Sequence, residues 1–430
     1  MGNARALKLV TLFALISLLT VYGGTAGGSP TGKPPDRGNV NGTLEVGQLA
    51  PQTGQLSNIL QSLVTPVQMA VDEINAAGGV LGNPVTYTQA DDGTDPTVAS
   101  QSLDRLLNSD KVDAIMGPAS SGTMLGIIDK VRSAGVLDCS GSTTSAELTK
   151  AKSGGYFFRT APPDRLQGPA LSELVLKDGH SKVGILVRND SYGVGFGKAL
   201  KKALTAGGAK VVADVAYDAD ATNFDADVQK VADKKPDAII VIGFNDDGAK
   251  IVTTMIGKNL GPSQIPIYTA DGMQSSKFGT TVDASNPAVV AGIKGTAPAA
   301  QPAGVQSPFL ERFAATGVDP IFSSYYYDCA MLTALAAEKA KSDDAAKMRK
   351  AFAANVKGKE RCNTYADCKA LLDQGKSIRF QGASQVFRNL NKFGTFEPSA
   401  GVYEVWSYDS TASVKTEPAD SQIRIGGVRG

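Results

Sequence analysis

The sequence predicts an α/β protein of two similar lobes with parallel sheets, and three observations support this. A length of 430 residues exceeds one ordinary domain and is sufficient for two. From Thr43 onward, short runs rich in β-branched residues alternate with helical patterns, which is typical of βαβ units. This alternation restarts after Arg159-Thr-Ala-Pro-Pro163, so a second block of the same kind follows the first.

The first block contains four predicted strands with helices between them. Gly78-Gly79 is a stop signal for the first helix, and Asp95-Pro96 is a start signal for the second. A third helix is predicted near residues 123–134. The strands are predicted at residues 43–49, 85–90, 112–116 and 136–139.

The second block has predicted strands at 182–187, 211–217 and 238–243, separated by helices near 194–207 and 224–234. After residue 300 the pattern changes. Residues 323–341 and 343–356 are strongly helical, and residues 380–407, which include Trp406, resemble strands. These late segments are expected to complete the two existing lobes, so the chain would cross between the lobes several times.

Composition excludes several classes of function. Lys and Arg number 43 against 42 for Asp and Glu, and no basic run stands out, so nucleic acid is not an expected partner. His180 is the only histidine, and the cysteine spacings do not match a metal site. We therefore predict no metal, no histidine-based catalytic residues and no enzymatic activity.

The N-terminus predicts export. Arg5 and Lys8 precede an uncharged apolar run at 9–21, which has the length of a signal-peptide core and is too short to span a membrane. We predict a signal peptide over residues 1–26 and a flexible linker over 27–42. A lipoprotein would carry Cys where Tyr22 stands, so the protein is expected either at the cell surface or periplasm, held by this tether, or secreted.

Four cysteines suit an oxidising compartment. Cys362 and Cys368 lie six positions apart in a polar segment, and we predict a local disulfide between them. Cys139 and Cys329 either pair with each other or remain buried thiols, and the sequence leaves both alternatives open.

Candidate binding residues follow the predicted strands of the first block. Ligands of open α/β sheets bind beyond the carboxyl ends of the strands, where helix N-termini offer free amides. Ser120 and Ser121 follow one strand, and Thr143 and Thr144 follow the next. These hydroxyls either cap helices and solvate turns or bind a carboxylate, and their repetition on neighbouring strands favours binding.

The second block supplies a carboxylate and two aromatic side chains. Asp271 follows a predicted strand and suits an ammonium group, although a solvated loop Asp is common. Tyr192 and Phe244 also follow strands and could lie flat against a ligand. Residues 193–197 resemble a dinucleotide motif but lack its third glycine, so no cofactor is expected.

Several short motifs follow one another along the chain. They are Ala50-Pro-Gln-Thr-Gly54, Ala70-Val-Asp-Glu-Ile-Asn-Ala-Ala-Gly-Gly79, Asp91-Asp92, Asp95-Pro96, Ile115-Met-Gly117, Phe158-Arg-Thr160 and Asp190-Ser-Tyr-Gly193. Together they resemble the leucine/isoleucine/valine-binding protein family, the type I periplasmic binding proteins of ABC transporters, and the similarity covers residues 44–407. The family implies two Rossmann-like lobes, a three-segment hinge and a ligand in the cleft.

The resemblance also implies the parts of the chain that form each lobe. Residues 43–162 would begin lobe one and 295–378 would complete it. Residues 163–294 would begin lobe two, and 379–430 would complete it and form the tail.

The resemblance further implies roles for single residues. Ser120, Ser121, Thr143 and Thr144 match positions that hold a ligand's α-carboxylate, and Asp271 matches the acidic residue that takes its α-amino group. Tyr192 and Phe244 match aromatic positions of lobe two. Ile59 or Leu60 falls where a bulky side chain touches the ligand. Thr143 and Asp271 depart from the family's usual Ala and Glu, which leaves the ligand's identity open.

The expected function is capture of a small polar solute, most naturally a branched-chain type of amino acid, by a monomeric extracytoplasmic protein that delivers it to an ABC transporter permease. A sensor of the same fold coupled to a signalling partner is the main alternative. A Rossmann-type enzyme is a third, against which the missing dinucleotide motif counts.

Overall fold

The computed structural model describes residues 39–384 and 396–426. The predicted signal peptide and residues 27–38 of the predicted linker lie outside these ranges. Within them, no helix is both long enough and apolar enough to cross a membrane.

The first sheet is parallel throughout and lies in lobe one, in the order β2-β1-β3-β4-β5. Its strands are β1 (Glu45–Ala50), β2 (Thr86–Asp91), β3 (Ala114–Met116), β4 (Leu137–Ser140) and β5 (Phe157–Arg159). The helices that alternate with them are α1 (Leu60–Ala76), α2 (Pro96–Asn108) and α3 (Ser121–Ala134). As predicted, Asp95 and Pro96 begin a helix, because the Asp95 carboxylate accepts the N–H groups of Thr97 and Val98.

The second sheet lies in lobe two, in the order β14-β13-β10-β9-β8-β6-β7, with β15 beside β13. The bounds of its first strands are β6 (Lys182–Arg188), β7 (Lys210–Tyr217), β8 (Ala238–Ile242), β9 (Ile267–Ala270) and β10 (Lys294–Pro298). These five strands are parallel, and the apolar strand β8 is buried along its whole length between neighbours. The accompanying helices are α4 (Asp164–Lys177), α5 (Ser191–Ala206), α6 (Asp225–Ala232), α7 (Asn245–Gly257) and α8 (Phe278–Val282).

The late segments pack onto the elements already described. They comprise α9 (Pro308–Ala314), α10 (Ser323–Ala340), α11 (Ala345–Phe352), α12 (Tyr365–Asp373), β11 (Glu360–Cys362), β12 (Ile378–Phe380), β13 (Gly401–Tyr408), β14 (Val414–Thr416) and β15 (Ile423–Ile425). Helix α10 packs against α1 of lobe one. Strand β13 pairs antiparallel with β10 of lobe two and buries Trp406 completely.

Two crossings between the sheets fall close to predicted lobe boundaries without coinciding with them. Strand β10 begins at Lys294, so residues 295–298 still pair in the second sheet. The boundary at 378/379 precedes Phe396, which still bridges Phe158 at the edge of the first sheet. The passage into β13 therefore comes after Phe396.

Two disulfides are present. The predicted local bridge joins Cys362 to Cys368. Cys139 pairs with Cys329, which resolves the open alternative and ties β4 to α10.

Candidate ligand-binding cleft

The lobe-one wall of the cleft consists of two turns that follow the paired strands β3 and β4. Ser120 is the N-cap of α3, and its hydroxyl accepts the N–H of Thr123 at 3.1 Å. The Ser120 hydroxyl therefore caps a helix, which is one of the two roles considered for these hydroxyls. The Ser121 hydroxyl accepts the N–H of Ser145 at 3.0 Å, which joins the first turn to the second.

The second turn is held from both sides. The Ser140 hydroxyl accepts the N–H groups of Ser142 and Thr143 at 3.3 and 3.2 Å. Arg159 donates to the carbonyl oxygens of Thr143 and Ser145 at 3.0 and 2.8 Å. In the described part of the chain no acceptor is found for the N–H of Thr144. A fixed, unsatisfied amide beside a helix N-terminus suits a carboxylate.

Arg159 holds this turn from a fully buried position. Its guanidinium pairs with Glu397, which is also fully buried and comes from the last part of the chain. Thr149 donates to the same carboxylate and accepts from Arg159. Pairing and hydrogen bonding offset the cost of burying the two charges, so a rigid polar support lies behind the turn.

The lobe-two wall is aromatic. The rings of Tyr192 and Phe244 stack with centroids 5.5 Å apart. Arg188 covers Phe244, with its guanidinium carbon 3.7 Å from the ring centroid, and also forms ion pairs with Asp190 and Asp247. Phe244 is therefore fixed between a ring and a paired cation.

Asp271 lies beside this aromatic pair at the end of β9. Gln167 donates to its Oδ1 at 2.6 Å, and Tyr192 makes a longer bond of 3.4 Å to the same oxygen. Burial raises the pKa of Asp271 to about 6, and hydrogen bonds from Gln167, from its own backbone N–H and from Tyr192 act in the opposite direction. A carboxylate can accept about four hydrogen bonds, so acceptor capacity remains for a ligand.

Gly272 allows this corner to form. A Cβ at this position would lie 2.4 Å from the carbonyl oxygen of Gly243 and 3.0 Å from the Phe244 ring. Any larger residue would push Asp271 away from the aromatic wall.

One cavity brings most of the predicted residues together. It contains about 410 Å³ of space between atoms, its open mouth included. Six of the seven predicted residues line it, namely Ser120, Ser121, Thr144, Tyr192, Phe244 and Asp271. Thr143 is buried but is not among the lining residues; its carbonyl faces Arg159 instead.

The sequence reasoning missed part of the lining. Ile59 lies here as the family resemblance suggests, but Ser142, Leu56, Ile321 and Phe322 were not singled out. The other lining residues are Ala119 and Gly272. Of the missed residues, Leu56, Ile321 and Phe322 add apolar surface to the cavity, and Ser142 adds a hydroxyl.

The backbone conformation of Phe322 also indicates a ligand site. It is the N-cap of α10 and has a left-handed backbone, with φ of 60°. A bulky residue in this region is strained and persists only when its surroundings fix it, which is common at ligand sites. Tyr326, one turn later, supplies such fixation because its hydroxyl lies 3.0 Å from that of Ser142.

Direct hydrogen bonds join the lobes at the mouth of the cleft. Gln55 of lobe one accepts from Arg188 at 2.9 Å, and Asn58 donates to Ser275 at 3.2 Å. The Ser145 hydroxyl donates to the carbonyl oxygen of Ser191 at 2.8 Å. The structure therefore has its lobes in contact around the cavity.

The electrostatics of the cavity are simple. Asp271 is its only ionisable carboxylate, and no Lys, Arg or His is among its lining residues. Within the described ranges, no group of three or more His, Cys, Asp or Glu side chains is placed to hold a metal ion. The arrangement can bind a zwitterion, with amides at one end and Asp271 at the other.

Comparison with known proteins identifies the family. The model of the periplasmic binding protein family matches residues 43–358. The chain belongs to this family. The resemblance inferred from the motifs is therefore confirmed, and so is the two-lobed α/β fold.

Curated relatives of this periplasmic binding protein carry amino-acid-binding names. A Leu/Ile/Val-binding protein of Rhizobium johnstonii is 28% identical over 55% of the chain and 63% of its own length. An amino acid binding protein of Pseudomonas aeruginosa is 25% identical over 70% of the chain and 80% of its own length.

Solved structures share the fold. A leucine-binding protein of Thermotoga maritima has a TM-score of 0.72 at 21% identity, over 89% of this chain and 99% of that one. A branched-chain amino acid transporter substrate-binding protein of Streptococcus pneumoniae, in complex with isoleucine, has a TM-score of 0.70 at 24% identity, over 89% of this chain and 99% of that one. A solute-binding protein of Rhodopseudomonas palustris in complex with 4-hydroxybenzoate has a TM-score of 0.69 at 17% identity, over 89% of this chain and 97% of that one.

Proposed function

We propose that this protein is exported, binds an amino acid with an apolar side chain between its lobes and delivers it to an ABC transporter permease. One observation carries the proposal: Thr144, whose N–H has no acceptor among the described residues, and the Asp271 carboxylate line one cavity from opposite lobes. A zwitterion places its carboxylate and ammonium on these two groups. Burial of both charges then has compensating partners.

The rest of the cavity favours an apolar side chain. Leu56, Ile59, Ile321 and Phe322 supply the apolar surface at its end. No cation lines the cavity, so the second carboxylate of an acidic amino acid would be buried without a partner, which is costly. This selects branched or linear aliphatic side chains over acidic ones.

Closure follows from contacts made by both lobes. A ligand shifts an open–closed equilibrium only by the difference in its affinity for the two states. Thr144 belongs to lobe one and Asp271 to lobe two, so the zwitterion gains its full set of contacts only when the lobes meet. A permease that recognises the closed form would thereby accept loaded protein.

A sensor coupled to a signalling partner is the second candidate. It is favoured by a relative named as a chemotactic signal transduction substrate-binding protein of Halobacterium salinarum, 25% identical over 83% of the chain and 85% of its own length. Uptake of labelled amino acid by vesicles that contain the permease, with and without this protein, separates the two. Stimulated uptake supports the transport role.

A binding screen tests the proposal. Thermal-shift and calorimetric measurements would use L-leucine, L-isoleucine, L-valine, L-glutamate and 4-hydroxybenzoate, since a ligand that binds the native state raises the melting temperature. We expect binding of aliphatic amino acids and none of L-glutamate. The benzoate lacks the ammonium that Asp271 would accept, so binding of it together with no binding of amino acids would overturn the proposal.

A further inference from the structure

The first turn of α4 connects the two ends of the cavity. The N–H of Asp164 donates to the carbonyl oxygen of Thr144 at 2.8 Å, so α4 starts against the turn whose amide is free. One turn later, Gln167 donates to Oδ1 of Asp271 at 2.6 Å and to the carbonyl oxygen of Thr296 at 2.9 Å. The same helical turn therefore contacts both charged ends of the proposed site.

Gln167 acts from behind the cavity wall. It is fully buried and is not among the lining residues, so it does not touch a ligand. Its two partners are both acceptors, which means that the side-chain nitrogen must face them and that both of its hydrogens are used. The amide can turn only by giving up both bonds, so Gln167 holds the Asp271 carboxylate in one orientation at the cavity wall.

The hydrogen bond from Gln167 to Asp271 matters because a second buried carboxyl, that of Asp164, lies nearby. Asp164 is fully buried, and neither of its oxygens has a partner at full hydrogen-bonding geometry among the described residues; the neighbouring Thr144 side chain lowers its pKa only in part. Burial first, and then the neighbouring Asp271 carboxylate, raise the pKa of Asp164 well above its usual range. Of two neighbouring acids, the one that accepts more hydrogen bonds ionises first. Asp271 accepts them from Gln167, Tyr192 and its own backbone, whereas Asp164 has only the Thr144 side chain among the described residues, so Asp271 is that acid.

The charged and titratable groups around this pair act consistently. Burial first, and then the charge of Asp271, raise the pKa of Asp164 of α4 and Tyr192 of α5; Asp190 at the start of α5 acts in the same direction on both. Tyr403 of β13 responds likewise to burial and to Asp271. Arg159 of β5 is a cation that acts on Asp164, but it is already paired with Glu397. Among the described residues no cation acts on Asp271 in this way, so donated hydrogen bonds favour its charged form.

We propose that Gln167 is a positioning residue that holds the Asp271 carboxylate in one orientation at the cavity wall and makes Asp271, not Asp164, the charged carboxyl of the site. The role of Asp271 towards an ammonium rests on the proposed function above. The hydrogen bond itself and its effect on Asp271 do not depend on any ligand.

Gln167→Met tests this, with Gln274→Met as the matched control. Gln274 is also buried and donates to a buried carboxylate, that of Glu404, at 2.9 Å, and it does not line the cleft cavity. Titration of the Asp271 carboxyl carbon by NMR in ligand-free protein, assigned with Asp271→Asn, gives its acid dissociation constant. We expect Gln167→Met to lower that constant about tenfold, because a charge-assisted hydrogen bond is lost.

Binding provides the second readout. The dissociation constant for L-leucine between pH 5.5 and 8 should rise on acidification, because protonated Asp271 cannot accept an ammonium. In Gln167→Met that rise should begin at a higher pH, whereas Gln274→Met should follow the wild type. Gln167→Glu, which keeps the shape but adds an acid, should bind progressively worse as the pH increases.

The outcomes are separable. An unchanged Asp271 titration in Gln167→Met, or an equal change in Gln274→Met, overturns the inference. If wild-type protein does not bind L-leucine but Gln167→Met still shifts the titration, the proposed ligand is wrong and the role of Gln167 stands. If Gln167→Met does not fold, Gln167→Glu replaces it, because an ionised Glu cannot donate a hydrogen bond to Asp271. An Asp271 titration in Gln167→Glu that matches the wild type at high pH would then contradict the inference.

Discussion

Replacement of Asp271 by Asn is expected to stabilise the ligand-free protein while weakening its binding of amino acids. Asn keeps the size of the side chain and can still accept the hydrogen bond from Gln167, but it carries no charge. In the wild type that charge is buried, and no Lys, Arg or His of the described residues lines the cavity with it. The substitution therefore removes a group whose ionised form disfavours the folded state until a ligand arrives.

The magnitude follows from the pKa of Asp271, which burial raises from 3.8 to about 6. Below pH 3.8 the carboxyl is protonated in both states and costs nothing. Between 3.8 and 6 the folded protein binds the proton and the unfolded chain does not, so stability falls as the pH rises. Above 6 the loss is complete, at about 3 kcal/mol for a difference of roughly two pKa units.

Urea unfolding of wild type and Asp271→Asn at pH 4, 5, 6 and 7.5 measures this difference. Buried acids that do not neighbour Asp271 titrate equally in both proteins and cancel in the comparison, whereas Asp164 loses the repulsion of the Asp271 charge in the variant. The two free energies of unfolding should be close at pH 4 and differ by about 3 kcal/mol at pH 7.5, in favour of the variant. Affinity for L-leucine should fall at least about 30-fold at pH 7.5, because an ammonium would be buried unpaired. Equal stability across the range, or unchanged affinity, would refute the reasoning.

Two further predictions concern the disulfides and the apolar end of the cavity. Removal of the Cys139–Cys329 bridge by double Ala substitution should lower the free energy of unfolding in urea by about 5 kcal/mol, and removal of Cys362–Cys368 should lower it by about 2 kcal/mol. The costs differ because the closed loops span 190 and 6 residues. Equal losses would contradict this account. Phe322→Ala should weaken L-leucine binding and admit L-phenylalanine, because the ring that limits the apolar end is gone. Calorimetry with both ligands checks this, and retained wild-type selectivity would exclude Phe322 as a limit on ligand size.

The parts of the fold that depend on local pattern were predictable. Strand β8 is a short run of apolar residues, which is typical of a strand buried on both faces of a sheet. Asp95 and Pro96 are common residues at a helix start and predict the start of α2. The two turns after β3 and β4 could be predicted as one site, because adjacent parallel strands end at the same edge.

The remaining site residues depend on contacts that sequence spacing does not encode. Phe322 enters the cavity because α10 packs on lobe one, about 180 residues after the turns it faces, and its left-handed backbone has no signal in the residue type. Within the second turn, Thr143 and Thr144 are chemically identical. Long-range bonds distinguish them: Arg159 holds the Thr143 carbonyl, whereas the Asp164 N–H holds the Thr144 carbonyl, and Thr144 is the one that lines the cavity.

The late return of the chain to both sheets has a consequence for synthesis. Lobe one lacks α10 until residue 340 has been made, and the β10 edge of lobe two stays open until β13 is available at residue 408. Neither lobe can close its core during most of translation, and pairings this distant in sequence form slowly. The nascent chain is therefore expected to remain largely unfolded and translocation-competent until it is nearly complete, with the open β10 edge as its main site for unwanted strand pairing.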